Sequence, residues 1–250
     1  MDKIALLPIK GVVVSEKSPF PATRLVSSPE VIRFLEKIKR NKGIKALVLE
    51  INSPGGTPFP CEEIVEAIKS IDKPTVAWIR EIATSGGYWI ASATDSIVAS
   101  GLSTVGSVGV ASIRPDFSEL LKKIGVDVDT VASGIYKLFG FPFKPLTPEE
   151  KEADRQRREE EIKIIQQSFL RQIRGKRQLT EEAIEEISSG KTYLGQEAKN
   201  LSLIDELGGR EIAFEIAARK ANITSYKTVD YTKKLERPKM GLLTRLFGQF

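Results

Sequence analysis

The chain has 250 residues, 41 % hydrophobic and 28 % charged, the make-up of a globular protein with a buried core. Its single cysteine, Cys61, excludes an internal disulfide, and the absence of histidine removes the commonest metal ligand, so no thiolate–imidazole zinc site is expected. The net charge of +5 is spread over 38 basic and 33 acidic residues without a basic aromatic motif, which argues against a nucleic-acid partner.

The start, MDKIALLPIKGVVV, reads as a strand; it is too short and interrupted for a signal peptide or anchor, and no run of about 18 apolar residues follows. SPEVIRFLEKIKRNKG predicts a helix with Ser28 as N-cap, Pro29 in its first position and Gly43 past its end. IKALVLEINS is the near-continuous apolar run of a buried parallel strand, and CEEIVEAIKSI has helical periodicity. KPTVAWIRE is a strand again, leading through TSGG to a short helix, YWIASAT. SIVAS and GSVGVASI read as strands, DFSELLKKIG as a helix and VDVDTVAS as a strand. Such alternation predicts right-handed βαβ units around a mainly parallel sheet.

Past residue 147 the pattern turns helical. Thr147 and Glu150, with Pro148 between them, form a capping box before a long helix, charged in its first half. In its second half Ile162, Ile165, Phe169 and Ile173 make an apolar seam. TEEAIEEISSG and GREIAFEIAARKAN are further helices and SYKTVDYT a last strand. The tail KKLERPKMGLLTRLFGQF is basic and amphipathic, suited to a neighbouring subunit or an anionic membrane surface. Neither an internal repeat nor a linker is visible, so a single domain with a helical C-terminal part is expected.

Two candidate motifs fall away. SGKT at 189–192 lacks the glycine of a phosphate loop, since Glu185 stands five residues before Gly190, and a helix precedes it. The DVD at 127–129 is explained by strand alternation better than by a metal site. What remains are two glycine turns, NSPGG at 52–56 and TSGG at 84–87, each between an apolar strand and a helix. In a parallel sheet those are carboxyl ends of strands, where ligands bind. Glycines there let backbone N–H groups approach a substrate, and a helix start adds unpaired donors, which suits an oxyanion hole beside a nucleophile. Taken alone, each is also plain tight-turn chemistry.

Ser85 is the candidate nucleophile, and without histidine its base must be something else. The substitute is a lysine kept neutral. A free lysine titrates near ~10.4, and lowering that by ~3 units corresponds to about 4 kcal/mol of differential desolvation. Lys137, in SGIYKLFGFPFKPLT, lies among Tyr136, Leu138, Phe139, Phe141 and Phe143. Composition leaves two readings open: a buried, neutral lysine in a loop packed against something, or an exposed one beside aromatic loop anchors.

EIATSGGYWIASATDSIVASGLSTVGSVGV closely resembles the nucleophile region of the signal peptide peptidase A (protease IV) family. The resemblance continues through LEINSPGG, SGIYKLFGFPFKPLTPEE and SSGKTYLGQEAKNLSLIDELGG and covers roughly residues 3 to 222. It implies an α/β Clp protease/crotonase-like fold of repeated ββα units, with a catalytic domain over 1–222 and a C-terminal strand and tail over 223–250. It also implies a Ser–Lys serine endopeptidase without metal or organic cofactor. Ser85 matches the nucleophile, Lys137 the general base and Ser107 the serine that positions the lysine. The N–H groups of Gly86 and of Gly55 or Gly56 are the expected oxyanion donors. TS and GYW, where relatives differ, are expected near the pocket. The implied substrates are cleaved signal peptides and other unfolded or membrane-derived peptides. The implied assembly is a homo-oligomer whose sites are shared between neighbouring subunits. Relatives usually carry an N-terminal anchor with the catalytic domain outside the cytoplasm; if such an anchor precedes this sequence the protein is expected to be membrane-associated in the same arrangement, and otherwise soluble. Two alternatives remain: a stomatin-operon-type protease cutting hydrophobic membrane-protein segments, and a catalytically silent peptide-binding scaffold.

Overall fold

The computed structural model describes residues 1–18, 23–177, 179–232 and 235, and these form two compact units. The first comprises residues 1–108 with the described part of 170–250, and the second residues 109–169. The basic tail, Leu235 apart, lies outside the described residues.

The first unit is built on an eight-stranded sheet. Its main path places β10 (Tyr226–Asp230) beside β1 (Asp2–Lys10), then β4 (Ile44–Ser53), β5 (Thr75–Thr84), β6 (Ser96–Ala99) and β9 (Glu206–Leu207), every pair parallel. Parallel strands need crossovers, and the helices that supply them cover both faces, so the central strands are apolar throughout rather than alternating. Ile4, Leu6, Ala46, Val48, Val76 and Val98 pack on one face against α8 (Arg210–Lys220) through Ala213, Phe214 and Ala217. The alternate residues Ala5, Leu7, Leu47 and Leu49 are fully buried on the opposite face. There α1 (Ser28–Arg40), α2 (Pro58–Lys69) and α3 (Gly86–Ser92) pack in succession.

β5 changes partner part-way along. Val76–Ile79 pair with β6, whereas Ile82–Thr84 pair with β7 (Thr104–Gly106), which also joins β8 (Thr192–Leu194) in the one antiparallel contact of this sheet among the described residues. Against β4 the register runs Ile51↔Ile79 and then Ser53↔Ala83, so β5 bulges opposite Asn52. The Asn52 carboxamide oxygen accepts the Ile82 N–H there at 3.2 Å. This bulge aims the end of β5, and the turn after it, along a new line.

The sequence-derived elements are recovered with local corrections. Ser27, not Ser28, is the N-cap of α1; the Ser28 hydroxyl donates instead to Glu63 at 2.7 Å. Gly11, at φ +99°, splits the first apolar run and starts β2 (Val12–Val14), which pairs with β3 (Leu25–Ser27). Residues 107–113 are not a strand, because Ser107 at φ 52° turns the chain out of the sheet. Residues 126–133 are not a strand either: they meet no partner strand among the described residues, and Val126 and Val131 are exposed. The sequence predicts the short α6 (Glu181–Ile187) and α8, but not β8, α7 (Gly195–Asn200) or β9.

In the second unit Asp116 lies just before α4 (Ser118–Lys123) and accepts the Ser118 N–H at 3.1 Å and hydroxyl at 2.6 Å. The long α5 (Pro148–Lys176) starts as expected, with the Glu150 N–H donating to Thr147 Oγ1 at 3.2 Å and the Thr147 N–H to Glu150 Oε2 at 3.0 Å.

Candidate active site

Five of the six predicted site residues gather in the first unit. The turn after β4 comes first. Ser53, its side chain wholly buried, donates its hydroxyl to the Gly11 carbonyl at 2.7 Å and accepts the Gly55 N–H at 3.1 Å. Gly55 then takes φ +101°, a backbone state that disfavours any side chain. A bridge to Val13 holds the next peptide: the Val13 N–H donates to the Gly55 carbonyl at 2.8 Å and the Thr57 N–H to the Val13 carbonyl at 3.1 Å. Among the described residues the Gly56 N–H, which this bridge leaves aside, has no acceptor.

The turn after β5 lies directly against it. A first side-chain carbon on Gly55 would come within 2.7 Å of the Gly86 nitrogen and 3.0 Å of Ser85 Cβ, so the two turns are in contact through backbone. Ser85 itself has φ 52° and ψ −127°. For a residue with a side chain that conformation costs on the order of 1–3 kcal/mol and persists only where surroundings impose it. Here two hydrogen bonds impose it: the Ser85 N–H donates to the Gly106 carbonyl at 2.8 Å, and its carbonyl accepts the Trp89 N–H at 3.0 Å in the first turn of α3. The result is a sharp strand-to-helix elbow with its serine half-buried. Gly86 is buried at the start of α3, where a side-chain carbon would meet Cys61 Sγ at 2.4 Å. Its N–H also lacks an acceptor among the described residues. Burial pushes the Cys61 thiol up to about 12, so at neutral pH it is a protonated, inert packing group.

Ser107 follows from β7. Thr84 pairs with Gly106, the residue before Ser107, and the Gly106 carbonyl accepts the Ser85 N–H at 2.8 Å. The Ser107 φ of 52° matches that of Ser85, and the Ser107 N–H donates to the Lys191 carbonyl at 2.8 Å.

Lys137 belongs to the second unit, in a 3₁₀ turn over Ile135–Leu138. In the single chain it is exposed, as in the second of the two readings its composition leaves open. Aromatic residues around it pack on one another: Tyr136 edge-on to Phe139 at 5.0 Å, Phe141 edge-on to Phe143 at 5.5 Å, and Phe143 stacked on Phe117 at 5.9 Å. Ile135 stays 54 % exposed and Tyr136 64 %, an apolar surface open to water. The GYW residues Gly87, Tyr88 and Trp89 are buried behind Ser85, and Tyr88 donates its hydroxyl to the Leu203 carbonyl at 2.8 Å.

Sequence reasoning passed over two residues. Ser53 stands inside the quoted NSPGG, and a serine two residues before a turn N–H is the pattern of a side-chain turn. Cys61 had no local signal, since its role depends on α2 packing beneath Gly86.

Residues 67–224 match the model of Peptidase family S49. The chain belongs to that family. Among its S49-type relatives, the chloroplastic serine protease SPPA of Arabidopsis thaliana is 32 % identical over 252 residues, spanning 99 % of this chain and 36 % of that protein. Protease 4 of Haemophilus influenzae is 30 % identical over 223 residues, spanning 88 % of this chain and 34 % of that protein. The chain thus spans about a third of the length of each. A solved structure of a membrane-bound stomatin-specific protease, a lysine-to-alanine mutant in complex with a substrate peptide, is 14 % identical. It superposes with a TM-score of 0.57, covering 98 % of this chain and 95 % of that one. The fold is therefore the Clp protease/crotonase-like one, and the family is one of peptidases. No helix among the described residues is long and apolar enough to cross a membrane.

Proposed function

We propose that the protein is a serine endopeptidase with a Ser–Lys dyad, in which Ser85 is the nucleophile and Lys137 the general base. The observation that carries this reading is the strained Ser85 elbow, flanked by Gly56 and Gly86 N–H groups with no acceptor of their own among the described residues. Of the two alternatives for the second oxyanion donor, Gly56 is favoured, because the Gly55 N–H already donates to Ser53.

In this mechanism a peptide lies extended in the site, paired through its backbone. Neutral Lys137 takes the proton from Ser85 Oγ, which attacks the scissile carbonyl. The oxyanion accepts hydrogen bonds from Gly56 and Gly86, placed before the reaction begins. Lys137 returns the proton to the leaving amine, and water, activated by the same lysine, releases the acyl group. Ser107 orients the lysine amine.

The lysine reaches the serine of a neighbouring subunit in a homo-oligomer. Two features support this: Lys137 is exposed in the single chain, and it is surrounded by apolar side chains that a second copy would cover. The same burial would desolvate the amine and favour its neutral form. The substrates are cleaved signal peptides and other unfolded or membrane-derived peptides, encountered at a membrane.

The test is cleavage of a fluorogenic apolar peptide as a function of pH by the wild type, Ser85→Ala and Lys137→Ala, with a serine-directed phosphonate as covalent label. The expected result is labelling at Ser85 and a rate that rises with pH along a limb absent from both variants. Activity that survives loss of Lys137 would assign the base elsewhere, and a protein that neither cleaves nor labels would be a scaffold.

A further inference from the structure

We infer that the Ser53 hydroxyl is a positioning residue for the oxyanion-binding backbone, setting the turn over residues 54–56 so that the Gly56 N–H is left free beside that of Gly86. The inference rests on the reading of Ser85 as nucleophile.

Ser53 ends β4 and has no exposed surface. A buried hydroxyl is tolerated when its hydrogen-bonding capacity is used, and here both functions are. The proton goes to the Gly11 carbonyl at 2.7 Å, and a lone pair receives the Gly55 N–H at 3.1 Å. One side chain therefore ties together the break between β1 and β2, the end of β4 and the glycine turn. Gly11 is itself fixed, for its N–H donates to the Asn52 carbonyl at 3.0 Å.

The consequence is selective. Gly55 has its N–H on Ser53 and its carbonyl on the Val13 N–H, so neither end of that residue is available to a ligand. With Gly55 held and Thr57 bound to Val13, the orientation of the peptide between Gly55 and Gly56 is set, and its N–H is the donor left over. Ser53 also touches the other half of the site: a side-chain carbon on Gly87 would lie 2.5 Å from the Ser53 carbonyl oxygen, so α3 rests on its backbone. Removing the hydroxyl leaves a buried N–H without acceptor and frees the turn to rotate. The donor is then lost where charge develops, in the transition state, while the contacts that bind the rest of the peptide remain.

The experiment compares Ser53→Ala and Ser53→Cys with the wild type on the fluorogenic peptide, together with inhibition by a peptide aldehyde, whose adduct places an oxyanion in the same position. Ser53→Ala should lower kcat by about 10- to 100-fold, with KM changed by less than about twofold and aldehyde affinity falling by the same factor as kcat/KM. Ser53→Cys, with a weaker hydrogen-bonding group of similar size, should fall between the two. A purely structural serine would lower thermal stability without moving kcat and aldehyde affinity together. Folded Ser53→Ala with both within about twofold of wild type overturns the inference, as does failure of both variants to fold, which would assign the hydroxyl to stability. The parent reading fails separately, by wild-type activity in Ser85→Ala.

Discussion

The two halves of the proposed site are made in opposite ways. Around Ser85 the backbone is held from several sides: Ser53 holds Gly55, Val13 brackets Gly56, Gly106 holds Ser85 and Cys61 fills the space under Gly86. Around Lys137 the chain is a single 3₁₀ turn among half-covered aromatics, with the amine in water. On the proposed mechanism the nucleophile and its oxyanion donors are pre-organised within one chain, whereas the base awaits a surface that buries it. A protease working that way is expected to stay inactive until it assembles.

The strongest way to break this contrast is to divide the site between two defective chains. Ser85→Ala and Lys137→Ala should each lower kcat by about 10⁴-fold. Co-expressed in equal amounts they should recover about a quarter of wild-type activity, since random assembly of neighbours leaves that share of sites intact. A mixture as inactive as its components would mean that serine and lysine act within one subunit.

Next in size is Gly86→Ala. Its new carbon must displace Cys61 Sγ from 2.4 Å, which moves the N–H donor and overpacks the floor. A fall in kcat of about 100-fold is expected, with about 1–3 kcal/mol lost in a denaturant titration. Activity near wild type would show that the nucleophile side is less rigid than its packing implies.

The third prediction concerns pH. Burial raises the Cys61 thiol from its ordinary 9.0 to about 12, so the folded protein keeps it neutral where the unfolded chain ionises it. That contribution is fully present below about pH 9 and is lost as pH rises from there toward about 12, at about 1.4 kcal/mol per unit. Cys61→Ala should flatten this alkaline decline in unfolding free energy, and the native thiol should resist thiol reagents at about pH 8.

The smallest effect refines the account of the elbow. Ser85→Gly relieves the φ of 52° that Ser85→Ala retains, so among these two inactive variants the glycine form should be more stable by about 1 kcal/mol. Equal melting temperatures would mean that the turn carries little strain.

How far the sequence reached follows the same division. Strands such as IKALVLEINS were legible because a strand covered on both faces must be apolar along its whole length, and the Thr147 capping box because it is local chemistry. The two turns that carry Gly55, Gly56, Ser85 and Gly86 were legible because tight turns demand particular residues. VDVDTVAS misled, since alternation shows only that a strand could form and cannot supply a neighbour to pair with. β8 and β9 are too short to carry a periodic signal and exist because β7 and β6 offer them an edge. Lys137 stood out through its family resemblance; its surroundings depend on contacts beyond its own segment.

The first unit is interrupted in sequence. Its sheet begins before residue 108, yet β9, β10 and α8 come only after residue 170, and β1 has β10 for an edge partner. During synthesis the ribosome must therefore make the whole of residues 109–169 before the outer strands and the helix covering one face exist. Until then the apolar face under α8 is bare and the nascent chain depends on helpers or delay. Contacts so distant in sequence form slowly, which makes the lag between translation and a working elbow a built-in property of the topology.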